Sequence, residues 1–382
     1  MISKPKLLIV ADTYYPKVDG TLRFIEEFMR RAHEEFSISL LVPDLGTRPA
    51  STYPVTFLRP SRIFSLSGYP NLQFSTHNFR LLKQAIQNTE CVFVQGPGLI
   101  SYFAIWYAHK YDKKCVVYTH VIPWEAFPTF FSKVLQPLVR FFFLRISVLC
   151  YNRAHRLLIP YKDLQVVYNS KGVRTPMYIA KLGIDIVRFK PVIDKIAAKK
   201  KVGIDPTKFV VGYVGRISSE KNIEILLDAF SKLNQPEELV LLLVGDGSLH
   251  QKRLLEFPAN CVVTGFVSNV QDYLQAMDIF VMPSLTETTS LATLEAMSVG
   301  LPVLATKVGF IAHYINKDHN GVFFPASNST FLAAKLEKLR TQPNTRAYLG
   351  NNARRTIVYS YSWERSINRI KRLIKEAYYN PN

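Results

Sequence analysis

The chain has 382 residues, which suits two domains better than one, because single domains usually run to roughly 100–200 residues. Its hydrophobic content of 48 % and the lack of a Gly/Ser-rich or acidic low-complexity tract exclude a largely disordered protein. The net charge of +19 is concentrated in residues 1–190, where 25 Lys and Arg stand against 12 Asp and Glu, and this excess suits nucleic acid, anionic lipid or a phosphorylated substrate without choosing among them.

The start of the chain lacks the pattern of a signal peptide, since residues 1–6 lead directly into an apolar strand-like run at residues 7–10. We therefore expect a cytoplasmic location. The four cysteines (Cys91, Cys115, Cys150 and Cys261) are widely scattered. Most of them lie in or beside apolar runs, which favours reduced thiols over a disulfide or metal-binding set.

The first half shows an alternation of strands and helices. A buried-strand run at residues 7–10 is followed by a helical pattern at 22–32, with Phe24, Ile25 and Phe28 on one face, and by a strand at 38–42. Apolar runs at 91–94 and 115–118 continue this βαβ rhythm. The pattern predicts a parallel sheet with helices on both faces.

The alternation restarts after residues 183–201, which contain Pro191 and a run of three lysines and are interpreted as a linker. A second Rossmann-like domain is predicted, so the expected fold class is α/β with two Rossmann-like domains and a cleft between them. The expected boundaries are residues 1–190, residues 191–360, and a C-terminal helix in 361–382 that packs back towards the first domain. The strands of the second domain are expected at 209–213, 239–244, 261–262, 279–282 and 302–305, and its helices at 222–233 and 291–298.

The segment at residues 124–150 departs from this rhythm because it is rich in Phe and Leu and is interrupted by Lys133, Pro137, Arg140 and Arg145. It is too charged to span a bilayer. An apolar, aromatic stretch with interspersed cations is typical of a helix lying on an anionic membrane. A core helix of the first domain with snorkelling cations is the alternative.

The strongest chemical signal is residues 287–302, which follow a predicted strand and contain a loop and a helix start. Backbone N–H groups at 288–290 and the positive end of the helix dipole form a site suited to a pyrophosphate. Glu295, one turn inside the helix, can accept ribose hydroxyls, and Glu287 can reach hydroxyls of a sugar. In isolation such a pattern more often means that Ser290 is a plain N-cap and that both glutamates are solvated.

A second signal is residues 212–222, where a strand ends in glycine and is followed by Arg216 and Lys221. Both cations can converge on a diphosphate whose charge grows as a sugar departs, Arg216 through its planar fork and Lys221 as a point charge. A basic turn before a helix is the alternative.

Together these segments resemble the retaining glycosyltransferases of family 4 (glycosyl transferases group 1), which have the GT-B fold. The resemblance covers nearly the whole chain. Its marks are the loop at 16–20, Tyr118-Thr119-His120, Gly183-Ile184-Asp185 with Arg188-Phe189, the 214–222 motif, 244–247, 264–267, and the two glutamates of 287–302.

The resemblance implies a role for each matched residue. Arg216 and Lys221 would be the diphosphate cations, Glu295 the ribose ligand and Glu287 the carboxylate beside the transferred sugar, with His120 facing that sugar from the N-terminal domain. A lone histidine after a strand is more often structural, so the role of His120 depends on the family match. Residues implied in donor binding through backbone or ring contacts are Gly20, Gly215, Gly245, Phe266, Ser290, Leu291 and Ala292.

Two matched loops differ from the usual pattern. Thr288-Thr289-Ser290 stands where a Gly-x-Phe-Gly run is common, which predicts a stiffer phosphate loop, and Asp19-Gly20 stands where paired glycines are frequent. No Asp-x-Asp sequence is present, so we expect no metal clamp and no cofactor, with the cations and the helix start holding the diphosphate.

The function implied is retaining, metal-independent transfer of a hexose from a GDP-mannose or UDP-glucose type of donor. The expected acceptor is a lipid or lipid-linked glycan at the inner membrane face, in glycolipid or polysaccharide biosynthesis, and an anionic membrane surface is an expected partner. A soluble sugar acceptor is the main alternative. A nucleic-acid-binding protein is disfavoured because no zinc spacing or RNA-recognition signature is present, and a non-catalytic sugar-nucleotide binder is disfavoured because both glutamates and both cations are present.

Overall fold

A computed structural model describes residues 4–16, 20–66, 69–119, 121–247 and 257–379, with backbone alone for 62–66 and 69–71. The chain divides into two compact units. The first comprises Met1–Gly183 with Glu364–Asn382, and the second comprises Ile184–Trp363. The division at Gly183 falls a few residues before the expected boundary at 190.

The first unit is built on a seven-stranded parallel sheet in the order β3-β2-β1-β6-β7-β8-β9, with a separate β4-β5 hairpin. The central strands are uninterrupted apolar runs and are buried on both faces, as parallel sheets require. The elements are β1 Lys6–Ala11, α1 Gly20–Ala32, β2 Ser37–Pro43, β3 Val55–Leu58, β4 Pro60–Leu66, β5 Tyr69–Leu72, α2 Thr76–Gln87, β6 Cys91–Gly96, α3 Leu99–Lys110, β7 Lys114–Thr119, α4 Pro123–Ala126, α5 Gln136–Tyr151, β8 Arg156–Ile159, α6 Asp163–Ser170 and β9 Met177–Ile179.

The second unit has a six-stranded parallel sheet in the order β12-β11-β10-β13-β14-β15. The sequence-based prediction of two Rossmann-like α/β domains is thereby confirmed. Its elements are α7 Lys195–Lys201, β10 Phe209–Val214, α8 Ile223–Phe230, β11 Leu239–Val244, β12 Cys261–Val263, α9 Val270–Ala276, β13 Ile279–Met282, α10 Leu291–Ser298, β14 Val303–Ala305, α11 Ile311–Tyr314, β15 Val322–Phe323, α12 Ser329–Thr341 and α13 Pro343–Ser360. Short 3-10 turns lie at Phe127–Phe130 in the first unit and at Ser219–Lys221 and Pro236–Glu238 in the second.

The interpretation of residues 183–201 as a linker is wrong for the run of three lysines at residues 199–201. These lysines form α7, which Asp194 caps by accepting from the backbone N–H of Ala197. The Lys199 side chain is only 8 % exposed, and its Nζ lies 2.8 Å from Asp278 Oδ2. Lys199 is therefore fixed to the sheet by a buried ion pair, while Lys201 is 63 % exposed and lies 2.9 Å from Asp272 Oδ1.

The last helix, α14 (Trp363–Tyr379), packs on the first unit. Lys375 Nζ lies 2.7 Å from Glu35 Oε2, and Lys371 Nζ lies 2.5 Å from the other oxygen of the same carboxylate. In the same part of the helix, Arg156 Nη1 lies 2.8 Å from Glu376 Oε2. Burial of Ile367, Ile370, Leu373 and Ile374 shows that the apolar face of this amphipathic helix lies inward.

The aromatic segment at 124–150 folds into α4, a 3-10 turn and α5. Few α5 side chains are buried, and its apolar side chains at Leu138, Phe141, Phe142 and Leu149 are exposed. Only Ser147, Cys150 and Tyr151 of α5 are buried, so most of the helix lies outside the core, against the alternative of a core helix with snorkelling cations. In the described part of the chain no helix combines the length and apolarity needed to cross a membrane.

Candidate active site

The candidate site lies where chain order in the second sheet reverses. From the centre of the sheet, β10, β11 and β12 follow one another towards one edge, and β13, β14 and β15 follow one another towards the opposite edge. In an open parallel sheet the loops at the carboxyl ends of the two strands flanking this reversal form a ligand crevice. Here those loops are residues 215–222 after β10 and 283–290 after β13.

Backbone contacts join these two loops. The N–H of Leu285 donates to the carbonyl of Glu220 at 2.9 Å. The Asn222 side chain donates to the carbonyl of Pro283 at 3.2 Å and to that of Ala326 at 2.9 Å. The spacing between the loops is thus set by direct hydrogen bonds, which preorganises the groups that they present.

Glu287 and Lys221 form the centre of the site. Lys221 Nζ lies 2.6 Å from Glu287 Oε1, and the two side chains are only 16 % and 10 % exposed. Ser284 Oγ donates to the same carboxylate oxygen at 2.9 Å. Among the described residues none donates to Glu287 Oε2, so one oxygen is fixed and the other can accept from a substrate hydroxyl.

The start of α10 is where the sequence predicts an anion site, and its backbone is suited to one. Ser290 precedes the helix with φ +52° and its hydroxyl bonds to that of Thr293 rather than to a backbone N–H. No acceptor within the described residues takes the N–H groups of Ser290, Leu291 or Ala292. Unsatisfied N–H groups at the positive end of a helix are suited to phosphate oxygens.

Glu295 lies in the second turn of α10 and is buried, with 6 % exposure. The solvated-glutamate alternative is therefore wrong for both glutamates of the motif. Nothing in the structure tests the assignment of Glu295 to a ribose, and it stays a prediction.

The two predicted cations are not equivalent. Arg216 is 77 % exposed and pairs with Glu220 at 2.7 Å, whereas Lys221 is buried against Glu287. The structure therefore does not show them converging on one point. Lys221 is held by its buried partner, whereas Arg216 lies at the solvent-exposed surface in its ion pair with Glu220.

The predicted donor-site glycines are used for close packing of neighbouring loops. A Cβ on Gly245 would lie 2.0 Å from the carbonyl oxygen of Gly215, and Gly215 has φ +150°. The N–H of Gly215 donates to the carbonyl of Val244 at 2.9 Å. Both positions thus require glycine for backbone reasons whether or not a ligand is bound. Phe266, in contrast, is 85 % exposed and available to stack on a base.

Three residues that the sequence did not single out hold the Glu287 loop. Gly309, with φ +52°, leaves no room for a Cβ, which would lie 1.9 Å from the carbonyl oxygen of Glu287. The buried Tyr314 hydroxyl donates to the carbonyl of Thr289 at 3.0 Å, and Ser284 fixes the carboxylate itself. Of the three, only Ser284 could have been found from the sequence, because it lies three residues before Glu287 at the end of a strand.

Two predicted residues belong to the first unit. His120 lies outside the described residues, and Gly20 begins α1. A further carboxylate, Asp12, follows β1 and caps α3 by accepting from the N–H groups of Ile100 and Ser101 at 2.8 and 3.2 Å. Burial raises the pKa of Asp12 to about 6, against the opposing effect of these hydrogen bonds.

Among the described residues no group of three or more His, Cys, Asp or Glu side chains could hold a metal ion. Cys91, Cys115 and Cys150 are buried free thiols, and Cys261 is partly exposed. Burial raises the pKa of Cys91 to about 12, so this thiol is kept in its unreactive neutral form.

The arrangement of both sheets matches solved structures over nearly the full chain. A structure of Anabaena Alr3699/HepE in complex with UDP superposes with a TM-score of 0.76 at 19 % identity, covering 97 % of this chain and 100 % of that one. The fold is GT-B. This GT-B chain also matches the family model described as "Glycosyl transferases group 1" over residues 194–356, which include every candidate donor-site residue of the second unit.

Two curated relatives show how far the sequence similarity extends. A D-inositol 3-phosphate glycosyltransferase of Rhodococcus jostii is 28 % identical over 52 % of this chain and 47 % of its own length. The UDP-Gal:alpha-D-GlcNAc-diphosphoundecaprenol alpha-1,3-galactosyltransferase of Escherichia coli is 24 % identical over 96 % of each chain. Partial coverage like that of the Rhodococcus jostii relative is common, since the chain spans about half the length of several curated relatives that it matches.

Proposed function

We propose that this chain is a retaining glycosyltransferase that moves a hexose from a nucleotide-diphosphate sugar to an acceptor. The proposal rests on one observation: the buried Lys221–Glu287 pair lies in the loops that flank the sheet reversal, where α10 begins with three N–H groups that have no acceptor among the described residues. The family match over residues 194–356 supports this class of reaction.

The chemistry follows from the charge that develops on the donor. As the bond to the sugar breaks, negative charge grows on the distal phosphate. The N–H groups of Ser290, Leu291 and Ala292 and the ammonium of Lys221 stabilise that charge where they already stand, and the solvent-exposed Arg216 adds its fork. Glu287 then binds and orients the sugar through its second oxygen. No divalent ion is required by this scheme, and we propose that the enzyme works without one.

Retention of configuration is proposed to occur by attack on the same face that the leaving diphosphate occupies. The leaving phosphate oxygen takes the proton of the acceptor hydroxyl as the new glycosidic bond forms, so no covalent sugar–enzyme bond is needed. Glu287 is suited to orientation rather than attack because its Oε1 is already bonded to Lys221 and Ser284.

Mannose and glucose are the proposed sugars, carried by GDP or UDP. The Anabaena neighbour is in complex with UDP, and a Rhizobium meliloti relative, 30 % identical over 46 % of this chain and 54 % of its own length, is named a lipopolysaccharide core mannosyltransferase. Similarity of this extent supports the donor class and leaves the choice between the sugars to experiment.

The proposed acceptor is a lipid or lipid-linked glycan at the cytoplasmic face of a membrane. The Escherichia coli relative with full-length similarity acts, by its name, on a sugar linked to diphosphoundecaprenol. In this chain, the exposed apolar side chains of α5 and the +13 charge of residues 1–190 (25 Lys and Arg less 12 Asp and Glu) support the same class of acceptor.

The test is release of nucleoside diphosphate from a panel of sugar nucleotides, with EDTA present and with membrane lipids added or omitted. We expect release from one donor, stimulated by lipid. Glu287→Ala and the volume-conserving Glu287→Gln should each lower turnover at least about tenfold while nucleotide binding persists. Glu237→Ala, which removes an exposed carboxylate from the same unit, is the matched control and should retain full activity.

Each arm of this test has a result that contradicts part of the proposal. Wild-type turnover in Glu287→Ala and Glu287→Gln would overturn the role of Glu287. Dependence on added divalent ions would overturn metal independence. Full release with soluble sugar acceptors and no response to lipid would replace the lipid acceptor with a soluble one, and binding without release would indicate a sugar-nucleotide binder.

A further inference from the structure

Two neighbouring helices of the first unit, α3 and α5, expose apolar and aromatic side chains. On α5, Leu138, Phe141, Phe142 and Leu149 are each more than half exposed and lie on one face of the helix. On α3, the Trp106 ring is 41 % exposed and lies one turn before His109. Exposed clusters of this kind on a folded unit mark a surface that contacts a partner.

A shared groove shows that the two helices contribute to one surface. It has a volume of about 990 Å³ and is lined from α3 by His109, from α5 by Phe141 and Leu149, and beyond α6 by Lys171. We define the α3–α5 surface as this groove, which Phe142 also lines, together with Trp106 and Leu138.

The charge of the α3–α5 surface is of one sign. The residues lining the groove include no Asp or Glu. Residues 99–153 contain seven Lys and Arg against two acidic residues. Among the described residues no carboxylate pairs with Arg140, Arg145 or Lys171, whereas cations elsewhere on the surface do pair, such as Lys232 with Asp228 at 2.9 Å.

We propose that the α3–α5 surface lies on an anionic lipid bilayer, with Trp106 and the apolar side chains of α5 in the interface and the unpaired cations against lipid phosphates. This inference rests on the proposed transfer to a lipid acceptor and extends it from α5 to a second helix. Aliphatic and aromatic side chains interspersed with unpaired cations are the composition of interfacial segments, and Trp prefers the headgroup level.

The other occupants fit the surface less well. A second copy of the chain related by a twofold axis would place the same cations opposite one another, and no acidic groove residue is present to offset them. A single-stranded nucleic acid would stack on the aromatic rings but would leave Leu138 and Leu149 without a suitable partner.

The tryptophan content provides a direct readout. Of the three tryptophans of the chain, Trp124 is 3 % and Trp363 is 7 % exposed, so Trp106 is the exposed one. Its emission should shift to shorter wavelength and be quenched by brominated acyl chains when the full-length protein binds vesicles of phosphatidylglycerol and phosphatidylcholine. Trp106→Phe should remove both spectral changes while co-sedimentation with the vesicles persists.

Variants then test the two components of binding. The double variant Phe141→Glu/Phe142→Glu should weaken vesicle binding at least about tenfold at low salt, because it replaces apolar contact with charge that anionic lipid repels. Arg145→Glu should weaken binding to anionic vesicles and leave the weak binding to phosphatidylcholine unchanged. Tyr359→Glu, at an exposed aromatic residue of the second unit, is the matched control and should bind like the wild type.

No donor or acceptor is present in these measurements, so they succeed or fail independently of transferase activity. Activity on a detergent-solubilised lipid acceptor without vesicle binding would overturn the surface and leave the proposed function intact. Unchanged Trp106 emission on vesicles, or wild-type binding by the double variant, would also overturn it. Concentration-dependent self-association without lipid that the double variant abolishes, or binding of single-stranded nucleic acid by this surface, would assign it to a different partner.

Discussion

Ser284→Ala should reduce transfer by releasing Glu287. The Ser284 side chain is fully buried, and its single hydroxyl proton goes to the Glu287 carboxylate at 2.9 Å rather than to the Met282 sulfur at 3.2 Å, because the carboxylate is the stronger acceptor. A hydrogen bond to a charged group contributes about 1.5–3 kcal/mol. At about 1.4 kcal/mol per tenfold change, full loss of this positioning would lower kcat/KM by about 10- to 150-fold.

The lower end of that range is expected because Lys221 still donates to the same Oε1 at 2.6 Å. The assay is steady-state nucleoside diphosphate release, with kcat and KM for the donor determined separately and thermal unfolding measured in parallel. Ser298→Ala is the control, since it removes an equally buried hydroxyl, bonded to the Phe189 carbonyl at 2.6 Å, from the same unit. If Ser284→Ala kept kcat/KM within twofold of the wild type, or if both variants lost activity equally, the positioning role would be wrong.

Further variants probe separate features of the two units. Gly309→Ala should abolish most activity, since its Cβ would lie 1.9 Å from the Glu287 carbonyl and force the loop to move; activity within twofold of wild type would contradict this. Phe266→Ala should raise the donor KM about tenfold with unchanged thermal stability, because an 85 % exposed ring adds little to the fold; unchanged donor binding would refute base stacking. Asp12 has its pKa raised from 3.8 to about 6, so its contribution to the free energy of unfolding is fully present below about pH 4 and is lost as the pH rises through 6. The stability difference between wild type and Asp12→Asn in urea should change across that window, and a difference independent of pH would show that Asp12 does not titrate there.

The fold could be read from the sequence wherever an apolar run crosses the whole of a parallel sheet. The strands β11 and β13 have the bounds expected from their Leu/Val-rich and Ile/Phe-rich runs, because both faces of such a strand are covered and every side chain must be apolar. Strands β8 and β9 were not anticipated. Strand β8 opens on the charged Arg156, and β9 is a three-residue edge strand that is only partly buried, so neither shows a run like those of β11 and β13.

The site could be predicted where chemistry is encoded in neighbouring residues. Glu287, Glu295 and the start of α10 belong to one continuous segment, so spacing alone placed them on a loop and on consecutive turns of a helix. Gly309 could not be found in this way. It is 22 residues from Glu287 (309 less 287) and reaches the Glu287 carbonyl only because β14 returns the chain to the same edge of the sheet.

Ser290 illustrates a sequence departure that the backbone explains. It takes φ +52° and ψ 76° where the resembling family commonly has glycine. A non-glycine residue in this region costs about 1–2 kcal/mol relative to the ordinary helical region, so the loop keeps the geometry at the expense of strain. The N–H groups after it are still presented without an acceptor among the described residues, so the substitution alters the energy of the loop and not its hydrogen-bonding capacity.

The unequal placement of the two cations suggests how the site responds to a donor. Lys221 and Glu287 are buried together, and a buried charge left without its partner is strongly destabilising. A donor diphosphate can take over as the partner of Lys221 only if Glu287 gains new partners, and hydroxyls of the transferred sugar are the groups that a donor brings with it. A nucleoside diphosphate without a sugar can pair with Lys221, but it brings no sugar hydroxyls to bind Glu287. On the donor-binding roles that we propose for Lys221 and Glu287, the site would therefore favour the intact nucleotide sugar over the nucleoside diphosphate product.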